Sequence, residues 1–185
     1  MLNPGRGAGL DKAYVTLERG SAFLARSLQA RAALGVAGLS GAGGAKVVGN
    51  GLRELDRFLC LMLDEATDLV GPRDFDNSAY RRRSNAAIKV GIFYELVGQH
   101  GPDAERLRAI GRVRACLHHC RGVVHDPRLW DDLRTAAGGD IEPSGQEEGR
   151  DRLGMTFGEL RQICAFYAQS AAGLMAACRA TRPVP

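Results

Sequence analysis

The sequence predicts an all-α protein, an up-and-down bundle of four to five long helices plus a short helix. Three observations carry that expectation. Apolar residues recur with helical spacing along the whole chain, and no stretch alternates apolar and polar residues as a half-buried strand would. Glycine and proline punctuate the pattern at its breaks, as in Gly71-Pro72 and Gly101-Pro102. At 185 residues and 45% hydrophobic composition the chain is long and apolar enough to bury a sizeable core.

The first helix is expected from Asp11, a candidate N-cap, to about Leu34, with Val15, Leu17, Phe23, Leu24 and Leu28 as apolar positions. Gly35 to Gly51 holds seven glycines and reads as loop or frayed helix start. A second helix follows over about Val47 to Val70 and is the strongest apolar segment, with Leu55, Phe58, Leu59, Met62, Leu63 and Leu69 on one broad face. Arg73 to Ser84 reads as a polar connection containing Arg81-Arg82-Arg83. A third helix is expected over about Asn85 to Gln99 and a fourth from near Asp103 to about Arg121. Asp126-Pro127 opens a short helix through Trp130 and Leu133. Gly138 to Arg150, rich in Gly, Glu, Ser and Pro, reads as a mobile linker. The last helix starts at Thr156-Phe157-Gly158-Glu159, a capping-box spacing, and runs to about Arg179. These elements predict a flexible segment 1–10, one helical domain over 11–180 with mobile loops near 35–46 and 138–150, and a tail 181–185.

Composition narrows the function classes. No stretch approaches the roughly 18 apolar residues of a membrane span, and the first eleven residues lack the apolar core of a secretory signal, so a cytoplasmic protein is expected. The net charge is +4, and 22 of the 25 basic residues are Arg against Lys12, Lys46 and Lys89. Arg suits phosphates and carboxylates, which fits an anionic partner such as RNA, while GC-rich coding accounts for the same excess. The five cysteines form no Cys-x-x-Cys pair and read as buried thiols.

Several motifs are set aside. Gly38 to Lys46 lacks the Gly-Lys-Ser/Thr of a phosphate-binding loop and no strand precedes it. Cys116, His119 and Cys120 share helical spacing that suits zinc, with His125 the nearest fourth ligand, but no paired-ligand spacing supports it, and neither metal nor cofactor is expected. Glu95 and Asp64/Glu65 lie on apolar helices without the spacing of an acid/base pair.

The segment Arg112 to His125 is the informative one. His118, His119 and His125 fall within eight residues, close to Arg112, Arg114 and Arg121. Histidine transfers protons near neutrality, and arginine stabilises charge developing on a phosphate. Metal-independent RNA cleavage needs both. Here the chain resembles the HEPN superfamily (higher eukaryotes and prokaryotes nucleotide-binding), all-α bundles with an Arg-x4-6-His signature. Arg114-Ala-Cys-Leu-His-His119 matches Arg-x4-His, and Arg112-x5-His118 gives a second register. The resemblance implies an RNA-binding homodimer, in which two copies form one cleft, or a toxin with an antitoxin-type protein partner. It implies that Arg114 contacts the scissile phosphate, that His119 acts as general acid/base or orients the 2′-hydroxyl, and that His118 and Arg121 assist. Arg112 and His125 would also contact RNA, and Arg81, Arg82 and Arg83 would extend an electrostatic track.

Two departures from the family pattern stand. Ala115 occupies a position where a polar residue is common, and Arg114 and His119 lie some 140° apart on an unbroken helix. A local helix break, a dimer, or an accidental match would each account for the second. With the arginines and histidines as the solvated sides of a helix, the chain would be a non-catalytic interaction module. A third alternative is a small-molecule pocket lined by Phe58, Phe93 and Phe166.

Overall fold

The computed structural model describes residues 7–33, 41–72, 74–139 and 152–181. Among these residues the chain is an all-α helical bundle with seven helices: α1 (Ala8–Ala33), α2 (Gly41–Val70), α3 (Asn77–Arg81), α4 (Ala86–Leu96), α5 (Ala104–His119), α6 (Leu129–Ala137) and α7 (Phe157–Thr181). The only extended pairing among them is one antiparallel bridge, Val123 with Arg152. No described helix is long and apolar enough to cross a membrane. The expected terminal segments fall outside the described residues at 1–6 and 182–185, as do 140–150 of the expected linker, 35–40 of the glycine-rich stretch and Leu34 at the end of the expected first helix.

The helices group into two compact units, and α1, α2 and α7 each contribute one half to each. The first unit takes 7–20, 55–104 and 167–181. Its core rests on the second half of α2, where Leu55, Leu59, Met62, Leu63 and Ala66 are buried at helical spacing. Asn85 caps α4 by accepting from the Ile88 amide at 3.1 Å. The polar connection expected before α4 contains the five-residue α3, opened by Asp76, whose carboxylate accepts from the Ala79 amide. Tyr80 of α3 is buried, and its hydroxyl donates to the Lys89 carbonyl at 3.1 Å. The Lys89 ammonium is itself buried, 2.7 Å from Asp64 Oδ1 and 5.2 Å from the centre of the Tyr80 ring. Burial of Tyr80 pushes its hydroxyl pKa up. Tyr167 donates to the buried Asp56 at 3.3 Å, joining α7 to α2.

The second unit takes the described residues of 21–54 and 105–166. Here α5 buries Leu107, Ile110, Val113 and Leu117, α6 buries Leu133 and Ala136, and α7 buries Leu160 and Ile163. Arg106 ties these helices together: its guanidinium donates to the carbonyls of Ala136 at 3.0 Å and Gln162 at 3.3 Å and lies 4.4 Å over the Phe166 ring. The capping box expected at α7 is formed. The Glu159 amide donates to Thr156 Oγ1 at 3.1 Å, and the Thr156 amide returns to Glu159 Oε2 at 2.6 Å.

The structure departs from expectation most at the start of α2, which begins at Gly41 rather than near Val47. The added turn is held by burial of Ala45, which is 2% exposed, and two of the glycines that follow lie at close helix contacts. A Cβ on Gly51 would come within 2.9 Å of the Leu24 side chain, and one on Gly49 within 2.7 Å of the His118 amide nitrogen. These glycines permit contact between helices instead of marking a turn.

Removing one partner of the Lys89–Asp64 pair separates its two contributions. Asp64→Ala leaves a buried ammonium uncompensated and is expected to cost about 3 kcal/mol or more, whereas Lys89→Met is expected to be near neutral, both read from denaturant unfolding.

Candidate functional site

The site lies in the second unit, where the first half of α2 meets the end of α5. Lys46, Gly49 and Arg53 fall at i, i+3 and i+7 and share one stripe of α2. Gly49 sits against the backbone of Leu117 and His118. That approach sets Arg53 beside His118: Arg53 Nη1 donates to His118 Nε2 at 3.3 Å. Arg53, Arg114, Ala115, His118 and His119 together line a half-open cavity of about 250 Å³.

Because Arg53 donates to Nε2, that nitrogen carries the lone pair and Nδ1 carries the proton of the neutral ring. His118 Nδ1 is buried and has no hydrogen-bond partner among the described residues. Desolvation holds the His118 pKa below its ordinary value, and the nearby His119, Arg53, Lys46 and Arg114 push it the same way. His119 is exposed, and its ring meets that of His118 edge-on with centroids 4.5 Å apart. His118 is thereby a proton acceptor in a cationic surrounding.

Past His119 the chain turns sharply. The Gly122 amide donates to the Cys116 carbonyl at 3.1 Å, closing a seven-residue turn over the end of α5. Arg121 takes the left-handed position usual for glycine, with φ +52, and Gly122 follows at +82. The turn is fastened by Leu153, whose amide donates to the Gly122 carbonyl at 2.6 Å, and by Arg152, which donates to the Arg121 carbonyl at 3.1 Å. A Cβ on Gly122 would lie 3.3 Å from Ala45 of α2, so the turn rests close against the start of that helix.

The sequence-predicted residues divide. Arg114, His118 and His119 line one cavity, although an ideal helix sets Arg114 and His119 well apart, because the cavity sits across the end of α5. Ala115 lines the same cavity, so the position that departs from the family pattern faces the site. Arg112 engages acidic partners. Its guanidinium forks onto Asp132 at 2.9 and 2.7 Å and reaches Glu105 at 2.9 Å, raising its own pKa above the ordinary value. Arg121 and His125 are exposed in the connection from α5 to α6. Arg81, Arg82 and Arg83 belong to the first unit, where Arg81 pairs with Asp68 and Arg82 donates to Ser78 Oγ at 2.7 Å.

Of the zinc-spaced residues, Cys116 is buried, and its thiol points to the Val123 carbonyl at 3.3 Å. Desolvation pushes its pKa up to about 11, which disfavours the thiolate that zinc requires. No group of three or more His, Cys, Asp or Glu among the described residues is placed to hold a metal ion. Of the three phenylalanines considered for a pocket, Phe93 packs edge-on against Tyr94, and Phe166 lies beneath Arg106. Lys46, Gly49 and Arg53 were missed by sequence reasoning. Their one signal is the i, i+3, i+7 stripe, which appears only once the helix is taken back to Gly41.

Comparison with known protein families, curated proteins and solved structures finds no match.

Two outcomes follow from this geometry. Gly49→Ala is expected to cost about 1–3 kcal/mol, because the Cβ meets helix backbone that cannot turn aside, and to displace His118 from Arg53; thermal unfolding and the His118 NMR signals check it. Because the folded His118 pKa is depressed, its contribution to stability is complete above the unfolded value of about 6.5 and is lost as pH falls through the folded value. Wild-type stability should therefore decline more steeply than that of His118→Gln between about pH 7 and about pH 5.

Proposed function

We propose that this chain is an HEPN-like RNA-binding protein that cleaves RNA without a metal ion. One observation carries the reading: Arg114, His118 and His119, the residues of the Arg-x4-His pattern, line a single cavity with Arg53 from a second helix. In the proposed reaction Arg53 and Arg114 hold the oxygens of the scissile phosphate and offset the charge that builds on them. A histidine accepts the proton of the attacking 2′-hydroxyl, and a histidine proton goes to the departing 5′-oxygen. The exposed His119 fits the accepting role, and His118, whose Nε2 opens onto the cavity beside Arg53, fits the donating one. Arg121 and His125, exposed in the connection that follows α5, would meet neighbouring phosphates. Following the resemblance, two copies would complete one cleft.

The test is cleavage and binding of a single-stranded RNA in the presence of a chelator. Wild type is expected to cleave, and His119→Ala to lose about 10²- to 10⁴-fold in rate. Arg114→Ala is expected to bind less tightly, with the slope of log affinity against log salt reduced by about 0.7, the loss of one phosphate contact. Undiminished cleavage by His119→Ala would remove that residue from the mechanism. Failure of the wild type to bind RNA would overturn the reading in favour of an interaction module.

A further inference from the structure

We infer that the Arg53–Arg114–His118–His119 cavity is a proton-linked oxyanion site: a phosphate group enters between the two guanidinium groups, draws Arg53 off His118 Nε2, and His118 takes up one proton from solvent as the anion binds. The inference deepens the phosphate-binding part of the function proposed above.

The geometry sets two states that exclude each other. Arg53 Nη1 donates at 3.3 Å into the Nε2 lone pair, so the contact exists only while that nitrogen is unprotonated. Protonation of Nε2 would bring two cations face to face. The groups acting on His118 from the two helices at the site are Lys46 and Arg53 on α2 and Arg114 and His119 on α5, and all four are basic. Without an anion, the charged groups that act on His118 among the described residues all repel an imidazolium. A phosphate in the cavity reverses the balance, because its oxygens accept from Arg53, Arg114 and an Nε2–H together.

A second observation concerns the other ring nitrogen, Nδ1. In the neutral ring the proton sits on Nδ1, which is buried and unpartnered among the described residues. Buried polar groups are rarely left so, and an unsatisfied one is a group whose surroundings an incoming ligand or water can complete. The cavity size agrees with this ligand class: about 250 Å³ falls below the roughly 300–1,000 Å³ of sites for whole small molecules, and suits one phosphate group better than an entire nucleotide.

Sulfate is the probe of choice, since it keeps two charges across the working range and its own protonation does not interfere. Titration calorimetry in two buffers of different ionisation enthalpy counts protons taken up per sulfate bound. Uptake of about one proton is expected, with affinity falling by up to about tenfold per pH unit as pH rises above the His118 titration. His118→Gln should abolish the uptake, and His119→Gln should retain it. Arg53→Gln should weaken sulfate binding. Sulfate affinity that does not change with pH in the wild type overturns the inference without recourse to any variant. Uptake that survives in His118→Gln overturns it as well.

A 5′-hydroxyl oligoribonucleotide, whose phosphates are all diesters, separates the sources of the anion. Competition with sulfate and the same proton uptake supports the inference and assigns the site to RNA backbone. Proton-linked sulfate binding that RNA cannot compete supports the inference for a free oxyanion and overturns the RNA function. RNA binding with no proton uptake overturns the inference and leaves the RNA function standing.

Discussion

The close approach of Gly49 to the backbone of His118 is the constraint on which the site depends. Two helices normally stand about 8–10 Å apart, held off by side chains at the contact. Here the missing side chain lets α2 and α5 come within backbone contact, and a methyl group would already sit 2.7 Å from the His118 amide nitrogen. One turn further along α2, Arg53 is carried to His118 Nε2. The same half of α2 also receives the turn after α5 through Ala45 and Gly122. The site geometry thus follows from this helix packing.

Electrostatics then separates the arginines by role. Arg112 is enclosed by Asp132 and Glu105, Arg128 pairs with Asp126, and Arg134 pairs with Asp131. Arg106 reaches backbone carbonyls and an aromatic ring instead. In each case the cation is satisfied by the fold. Around His118 the arrangement differs, because basic groups converge from two helices on one ring and keep it neutral. The convergence of basic groups from two helices on one ring is what makes the cavity suited to anions.

Much of the fold was legible in the sequence, because burial in helices follows period and caps. The faces of α2, α4 and α5, the stop at Gly71-Pro72 and the Thr156–Glu159 capping box all came from local patterns. The start of α2 did not, since glycine weakens helix propensity and its tolerance at Gly49 and Gly51 is decided by partners distant in sequence. For the same reason the site was half legible. Arg114, His118 and His119 lie in one segment, but Arg53 is 65 residues from His118 and only tertiary contact joins them. The fates of Arg112 and Arg81 were hidden likewise, because Asp132 and Asp68 are brought to them by other helices.

The division of α1, α2 and α7 between two units has a consequence for how the chain assembles. Each unit is closed by a segment from near the carboxyl end: the first by Tyr167 reaching Asp56 across 111 residues, the second by Gln162 and Phe166 meeting Arg106. Closing such long loops carries an entropic cost before any contact offsets it. During synthesis, the contacts that each core makes with α7 form only after that helix has emerged. The α7 contacts of each unit therefore join positions far apart in sequence and close more slowly than contacts within one helix.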